Sequence, residues 1–106
     1  MEINFKSQLL IDLYEGRNVK EKEFISNKEL VKQYIKTVGK IKAAQKIEQL
    51  FQFAGLNYEK LKGSLKGKSS VRINKQYRLI FEEITDEASP PVVILLNLEE
   101  ISKHYQ

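Results

Sequence analysis

The sequence predicts an α+β fold, with helices packed on one face of a small antiparallel sheet. Three observations carry this. Apolar residues recur at helical spacing through the first half, between positions 9 and 54. They switch to a period of two between positions 71 and 82, interrupted at 74–76. An unbroken apolar run then fills 92–96, directly after Pro90 and Pro91. The predicted order is therefore helices first and then three strands. A chain of 106 residues is expected to form one domain spanning 1–106.

Each element has a local reason. Glu2, Ile3, Asn4 and Phe5 alternate polar and apolar and read as a short strand. Leu9, Leu10, Leu13 and Tyr14 fall at helical spacing, with Gly16 as the stop. Residues 17–24 are highly charged and read as a connector. Ser26 and Glu29 have the spacing of a capping box, and Ile25 with Leu30 that of a hydrophobic staple. The helix they announce carries Val31, Tyr34, Ile35, Val38 and Ile41 on one stripe, with Lys28, Lys32, Lys36 and Lys40 off it. Gly39 costs that helix about 1 kcal/mol relative to alanine, which suggests close approach of another element. Ile47, Leu50, Phe51 and Ala54 form a second apolar set closed by Gly55, either a bend of the same helix or a separate one. Val71, Ile73, Tyr77, Leu79 and Phe81 then alternate with polar residues, and Asn74, Lys75 and Gln76 read as a hairpin turn without a glycine. Residues 86–91 are a loop, 92–96 a strand buried on both faces, and 97–106 a polar tail.

Composition excludes whole classes of chemistry. There is no cysteine, so disulfides, cysteine nucleophiles and cysteine-based zinc sites are out. A single histidine rules out a multi-histidine metal site. No apolar run reaches the length of a membrane span, and the start lacks the pattern of a secretion signal. The expectation is a cytoplasmic protein with no membrane role and no cofactor.

Charge is unevenly spread. Eighteen Lys and Arg against 14 Asp and Glu leave +4 overall. Between 60 and 78, however, Lys60, Lys62, Lys66, Lys68, Arg72, Lys75 and Arg78 occur without one acid. Such a cluster suits a polyanion, since each phosphate contact releases counterions. The lysines at 28, 32, 36 and 40 read instead as a solvated helix face.

The hairpin register sharpens this. Pairing 71 with 79 and 73 with 77 sets Arg72 opposite Arg78, projecting from the face away from the core. Like charges directly opposite are destabilising unless an anion comes between them, or unless Glu82, Glu83 or a tail carboxylate neutralises one. Planar guanidinium groups make a sensible phosphate clamp. Lys62-Gly63 and Lys66-Gly67 bring ammonium groups and close-approaching backbone just before the hairpin, but match no Walker-type spacing. His104 and Tyr105 are adjacent titratable aromatics, suited to proton transfer or base stacking, or else a functionless tail.

The stretch Leu61-Lys62-Gly63, Lys66-Gly67 and 70–81, together with the ending Leu98 to Tyr105, resembles the RelE/ParE toxin superfamily, and most closely its HigB branch. The resemblance implies the toxin of a type II toxin–antitoxin system that cuts mRNA in the ribosomal A site. Its chemistry would be metal-independent: the ribose 2′-OH attacks the adjacent phosphorus and leaves a 2′,3′-cyclic phosphate. On that reading Lys62, Arg72, Arg78, His104 and Tyr105 are the catalytic candidates. Lys60, Lys66, Lys68 and Lys75 would bind RNA, and Lys66 is also a weaker catalytic candidate. The implied partners are the ribosome, mRNA and a cognate antitoxin with a helix-turn-helix domain. The sequence departs from relatives at Glu59, where they carry histidine, and at Asn74, where they often carry arginine. It also ends His-Tyr where the nearest form has Tyr-His. Two other readings share the scaffold: a ParE-like inhibitor of DNA gyrase without nuclease chemistry, and a non-catalytic nucleic-acid-binding module.

Overall fold

In the computed structural model, which describes residues 1–103, the first strand β1 (Glu2–Phe5) leads into helix α1 (Gln8–Glu15). Ser7 caps α1 by accepting from the Leu10 amide, and Gly16 ends it at φ 76°. The charged connector is not wholly irregular: one helical turn, α2 (Lys22–Ile25), buries Phe24. The main helix α3 (Lys28–Ala43) follows.

The cap of α3 differs from the expected box. Asn27, not Ser26, is the N-cap, and its side-chain oxygen accepts from the Leu30 amide. The Ser26 hydroxyl instead donates back to the Lys22 carbonyl, serving the end of α2. Leu30, Tyr34, Val38 and Ile41 of α3 are fully buried, Val31 and Ile35 of the predicted stripe are partly buried, and the four lysines stay exposed. The buried Tyr34 hydroxyl donates to the Leu10 carbonyl at 2.8 Å and ties α3 to α1. Gly39 meets nothing that a side chain would touch, so the expected close approach is absent. The second apolar set is a separate single turn, α4 (Glu48–Phe51). It buries Leu50 but leaves Phe51 half exposed.

The sheet has five strands, the four expected and one more, β2: β2 (Glu59–Lys60), β3 (Lys68–Arg72), β4 (Tyr77–Thr85) and β5 (Val93–Lys103) join β1 in the order β1-β5-β4-β3-β2. Strands β2 to β5 are antiparallel, and β1 adds parallel to β5. The α+β class stands as predicted. The last strand is longer than expected and is not buried on both faces. Val92 and Ile94 are about half exposed, while Leu96 and Leu98 are fully buried. The stretch read as a polar tail continues β5 as far as Lys103.

The core lies between the helices and one sheet face. Val71, Ile73, Tyr77, Leu79 and Phe81 all enter it, as their alternation predicts. The turn between β3 and β4 manages without glycine because none of residues 73–76 adopts a positive φ, and Asn74 closes it with its side chain. Its side-chain oxygen accepts from the Gln76 and Tyr77 amides, and its Nδ2 donates to Gln33 of α3. Asn74→Ala is expected to destabilise the fold by about 1–2 kcal/mol, read as a shift in the urea midpoint. A change below a few tenths of a kcal/mol would mean the turn holds without that side chain.

Candidate functional site

The register places Arg72 directly opposite Arg78. Both side chains leave the sheet on the face away from the helices, because their neighbours Val71, Ile73 and Leu79 point into the core. Two short strands complete the surroundings. Glu59 of β2 pairs with Ser70, and Ser70 pairs with Ile80. Glu59 therefore shares a face with the two arginines and lies one row from them. Its Oε1 is 3.9 Å from Arg78 Nη1. Asn57, Glu59, Ser70, Arg72, Tyr77 and Arg78 line a narrow cleft of about 10 Å³. A second, open cleft of about 510 Å³ adjoins it, lined by Glu59, Lys60, Leu61, Lys62, Leu65 and Arg78. Arg78 and Glu59 belong to both.

The Lys-Gly repeat shapes the rim of the open cleft. Lys62 is extended, Gly63 turns at φ 66° into a 3-10 turn (Gly63–Leu65), and Gly67 reaches φ 92° before β3. These positive φ values are why glycine stands there. Within the chain itself, a side chain at either position would meet open space.

The predicted residues separate on inspection. Lys62, Arg72 and Arg78 come together around the two clefts, with Lys60 beside Lys62. Lys66 and Lys75 are exposed and line neither cleft. Lys68 is engaged elsewhere: its ammonium bonds Glu99 of β5, which Lys6 also approaches at 3.3 Å. The hydrogen bond to Glu99 raises the Lys68 pKa, although its desolvation opposes this. Burial pushes the Glu99 carboxyl upward, but the bonds from Lys68 and Lys6 outweigh it and hold the group below its usual range. β5 also runs toward the arginine pair, with Ser102 opposite Arg78 and Lys103 opposite Tyr77. His104 and Tyr105 come next in the chain and lie outside the described residues.

The stretch 60–78 is free of acids in sequence but not in space. Glu59 and Glu99 both reach it from neighbouring strands. Glu83, one of the carboxylates expected to offset the arginines, is committed on the other face, where it accepts from Tyr58 and from Ser69. Burial and the Glu83 bond push the Tyr58 pKa up to about 12. Among the described residues, no three His, Asp or Glu side chains gather in a metal-holding group, and no helix is long and apolar enough to cross a membrane.

Comparison with known proteins agrees with this architecture. The "YoeB/ParE toxin from Agrobacterium tumefaciens" superposes with a TM-score of 0.56 at 22% identity, covering 99% of this chain and 100% of that one. The "YoeB-YefM complex from Staphylococcus aureus" gives 0.54 at 24% identity, covering 99% and 98%. At these identities the likeness is one of fold. In sequence, "Toxin HigB-1" of Vibrio cholerae is 52% identical over 40 residues. That match spans 38% of this chain and 42% of the relative's length. Residues 3–92 match the HigB-like toxin family, described as "RelE-like toxin of type II toxin-antitoxin system HigB". The chain belongs to the HigB-like toxin family, within the RelE/ParE superfamily.

Proposed function

We propose that this protein is a ribosome-dependent mRNA endonuclease, the toxin of a type II toxin–antitoxin pair. The observation that carries the reading is the cross-strand pair Arg72 and Arg78, set on the sheet face away from the helices with Lys62 at the adjoining cleft. Two guanidinium groups facing each other repel, and a phosphate between them turns that repulsion into attraction. In the reaction, the ribose 2′ oxygen bonds to phosphorus as the P–O5′ bond breaks. The 2′ proton leaves to a base, and an acid supplies a proton to O5′. Arg72, Arg78 and Lys62 offset the charge growing on the non-bridging oxygens. His104 and Tyr105 are the candidates for proton transfer or for stacking on a base. Lys60, Lys66 and Lys75 extend the basic surface along the RNA backbone, whereas Lys68 is already neutralised by Glu99. No bound metal or cofactor is assigned a role.

The reading places the protein in the cytoplasm as one domain, working with the ribosome and mRNA. A cognate antitoxin with a helix-turn-helix domain would restrain it. The likeness to the YoeB chain of a YoeB-YefM complex supports a protein partner of that kind. The test is induced expression without the antitoxin, with mRNA 5′ ends mapped soon after induction. Cuts at fixed positions within translated codons, lost when initiation is blocked, are expected. Intact mRNA with arrested growth and DNA damage would replace this reading by gyrase inhibition. Intact mRNA with normal growth would leave a binding module.

A further inference from the structure

The arginine pair already has an anion beside it, supplied by the chain itself. We propose that the Glu59 carboxylate is an internal counter-ion in the phosphate seat, which an RNA phosphate must displace from Arg78. The inference rests on the reading of this face as an RNA seat and adds how that seat is regulated.

Three features of the geometry support it. The first is space. The cleft bounded by Glu59, Arg72 and Arg78 holds about 10 Å³, which is room for about one oxygen-sized atom. Arg78 also borders the open cleft of about 510 Å³, and Glu59 lines both clefts, so a phosphate reaching Arg78 from either side meets the carboxylate. The second is the strength of the contact. At 3.9 Å the Glu59–Arg78 approach is longer than a hydrogen bond and acts through charge alone. The third is asymmetry. The Arg78 side chain is only 19% exposed, whereas that of Glu59 is 48% exposed. The guanidinium is held by its surroundings, and the carboxylate is the partner free to swing into water. β2, which carries Glu59, is a two-residue edge strand, so nothing in the sheet lies beyond it to confine that motion.

The consequence is a threshold. A free RNA strand meets a seat whose charge is partly cancelled, and its phosphate must displace a carboxylate before it reaches Arg78. RNA that is pressed against this face, with its position already fixed, does so more readily. Glu59 thus lowers affinity for RNA in general and leaves the clamp available to RNA held in place.

The experiment measures binding of a 5′-labelled, fully 2′-O-methylated single-stranded RNA oligonucleotide by fluorescence anisotropy across a range of salt. Glu59→Gln keeps the side-chain size and removes the charge. It is expected to bind several-fold tighter than the unmodified protein at low salt. The slope of log K against log salt should steepen by less than about 0.7, the value for one whole phosphate contact on a single strand, because that contact forms in both proteins. Glu87→Gln, in the loop at the far end of β4, removes the same charge away from the seat and should change neither quantity. Unchanged affinity and slope in Glu59→Gln would overturn the proposal. So would weaker binding, which would make Glu59 a support for Arg78, or an equal gain in Glu87→Gln, which would reduce the effect to net charge. Absence of binding by every variant at every salt would sink the RNA seat itself, and this inference with it. That outcome is distinct from binding that simply ignores Glu59.

Discussion

Arg78→Ala is expected to cut the rate of mRNA cleavage by roughly a hundredfold, equivalent to about 3 kcal/mol of transition-state stabilisation. The reason lies in position as well as charge. Arg78 borders both clefts, while Arg72 borders only the narrow one. Arg72→Ala should therefore cost less than Arg78→Ala. The two losses should not add, because both groups act on the same phosphate. Arg78→Lys should fall between wild type and Arg78→Ala, since an ammonium keeps the charge but not the planar fork. The measurement is growth inhibition on induction, together with mapped mRNA ends. A thermal melt shows that each variant folds. If Arg72→Ala and Arg78→Ala both inhibit growth at full strength, the clamp assignment fails.

The largest expected effect on stability is that of Phe81→Ala. Phe81 is fully buried at the centre of β4, four residues beyond the start of the strand that also carries Arg78. Removing so large a ring from a packed core costs about 3–5 kcal/mol. A small protein has about 5–15 kcal/mol in all, so the variant should be near the edge of folding at 37 °C. Phe51→Ala is the counterpart. Phe51 is half exposed and rests on Tyr58 at a ring separation of 4.5 Å, so its loss should cost less than about 1 kcal/mol. Denaturant titrations of the two variants compare them directly. Equal costs would mean that burial does not rank these sites.

How much of this was legible in the sequence depended on how long a pattern each element had. Over 71–82 the alternation is long enough to set both face and register, and the pairing of Arg72 with Arg78 followed from it. The stripe of α3 was equally readable, since five apolar positions agree on one side. The start of α3 was misplaced by one residue. Ser26 and Asn27 are both good capping residues, and an unrecognised turn upstream takes the Ser26 hydroxyl. β2 could not be read at all, because two residues show no period. Its absence hid Glu59 from the arginines, just as the length of β5 hid Glu99 from Lys68. The apolar run at 92–96 suggested two covered faces, but among the described residues no element covers Val92 and Ile94. Of the candidate site, Lys60, Lys62, Arg72 and Arg78 were both predicted and brought together around the two clefts. His104 and Tyr105 lie outside the described residues.

The parallel pairing of β1 with β5 has a consequence for the order in which the molecule can assemble. β3 and β4 meet across the four residues 73–76, whereas the Asn4 and Asn97 side chains bond across 93 positions. Closing the longer loop costs about 3 kcal/mol more in chain entropy. β5 also sits between β1 and β4, so β1 has no partner strand and β4 has only β3 until residues 93–103 have been synthesised. A nascent chain can therefore present its two arginines on a closed hairpin while Ile3, Phe5 and the open edge of β4 are still uncovered. During that interval the protein is exposed to aggregation and open to capture along a bare strand. The interval ends when the fifth strand slides between the first and the fourth.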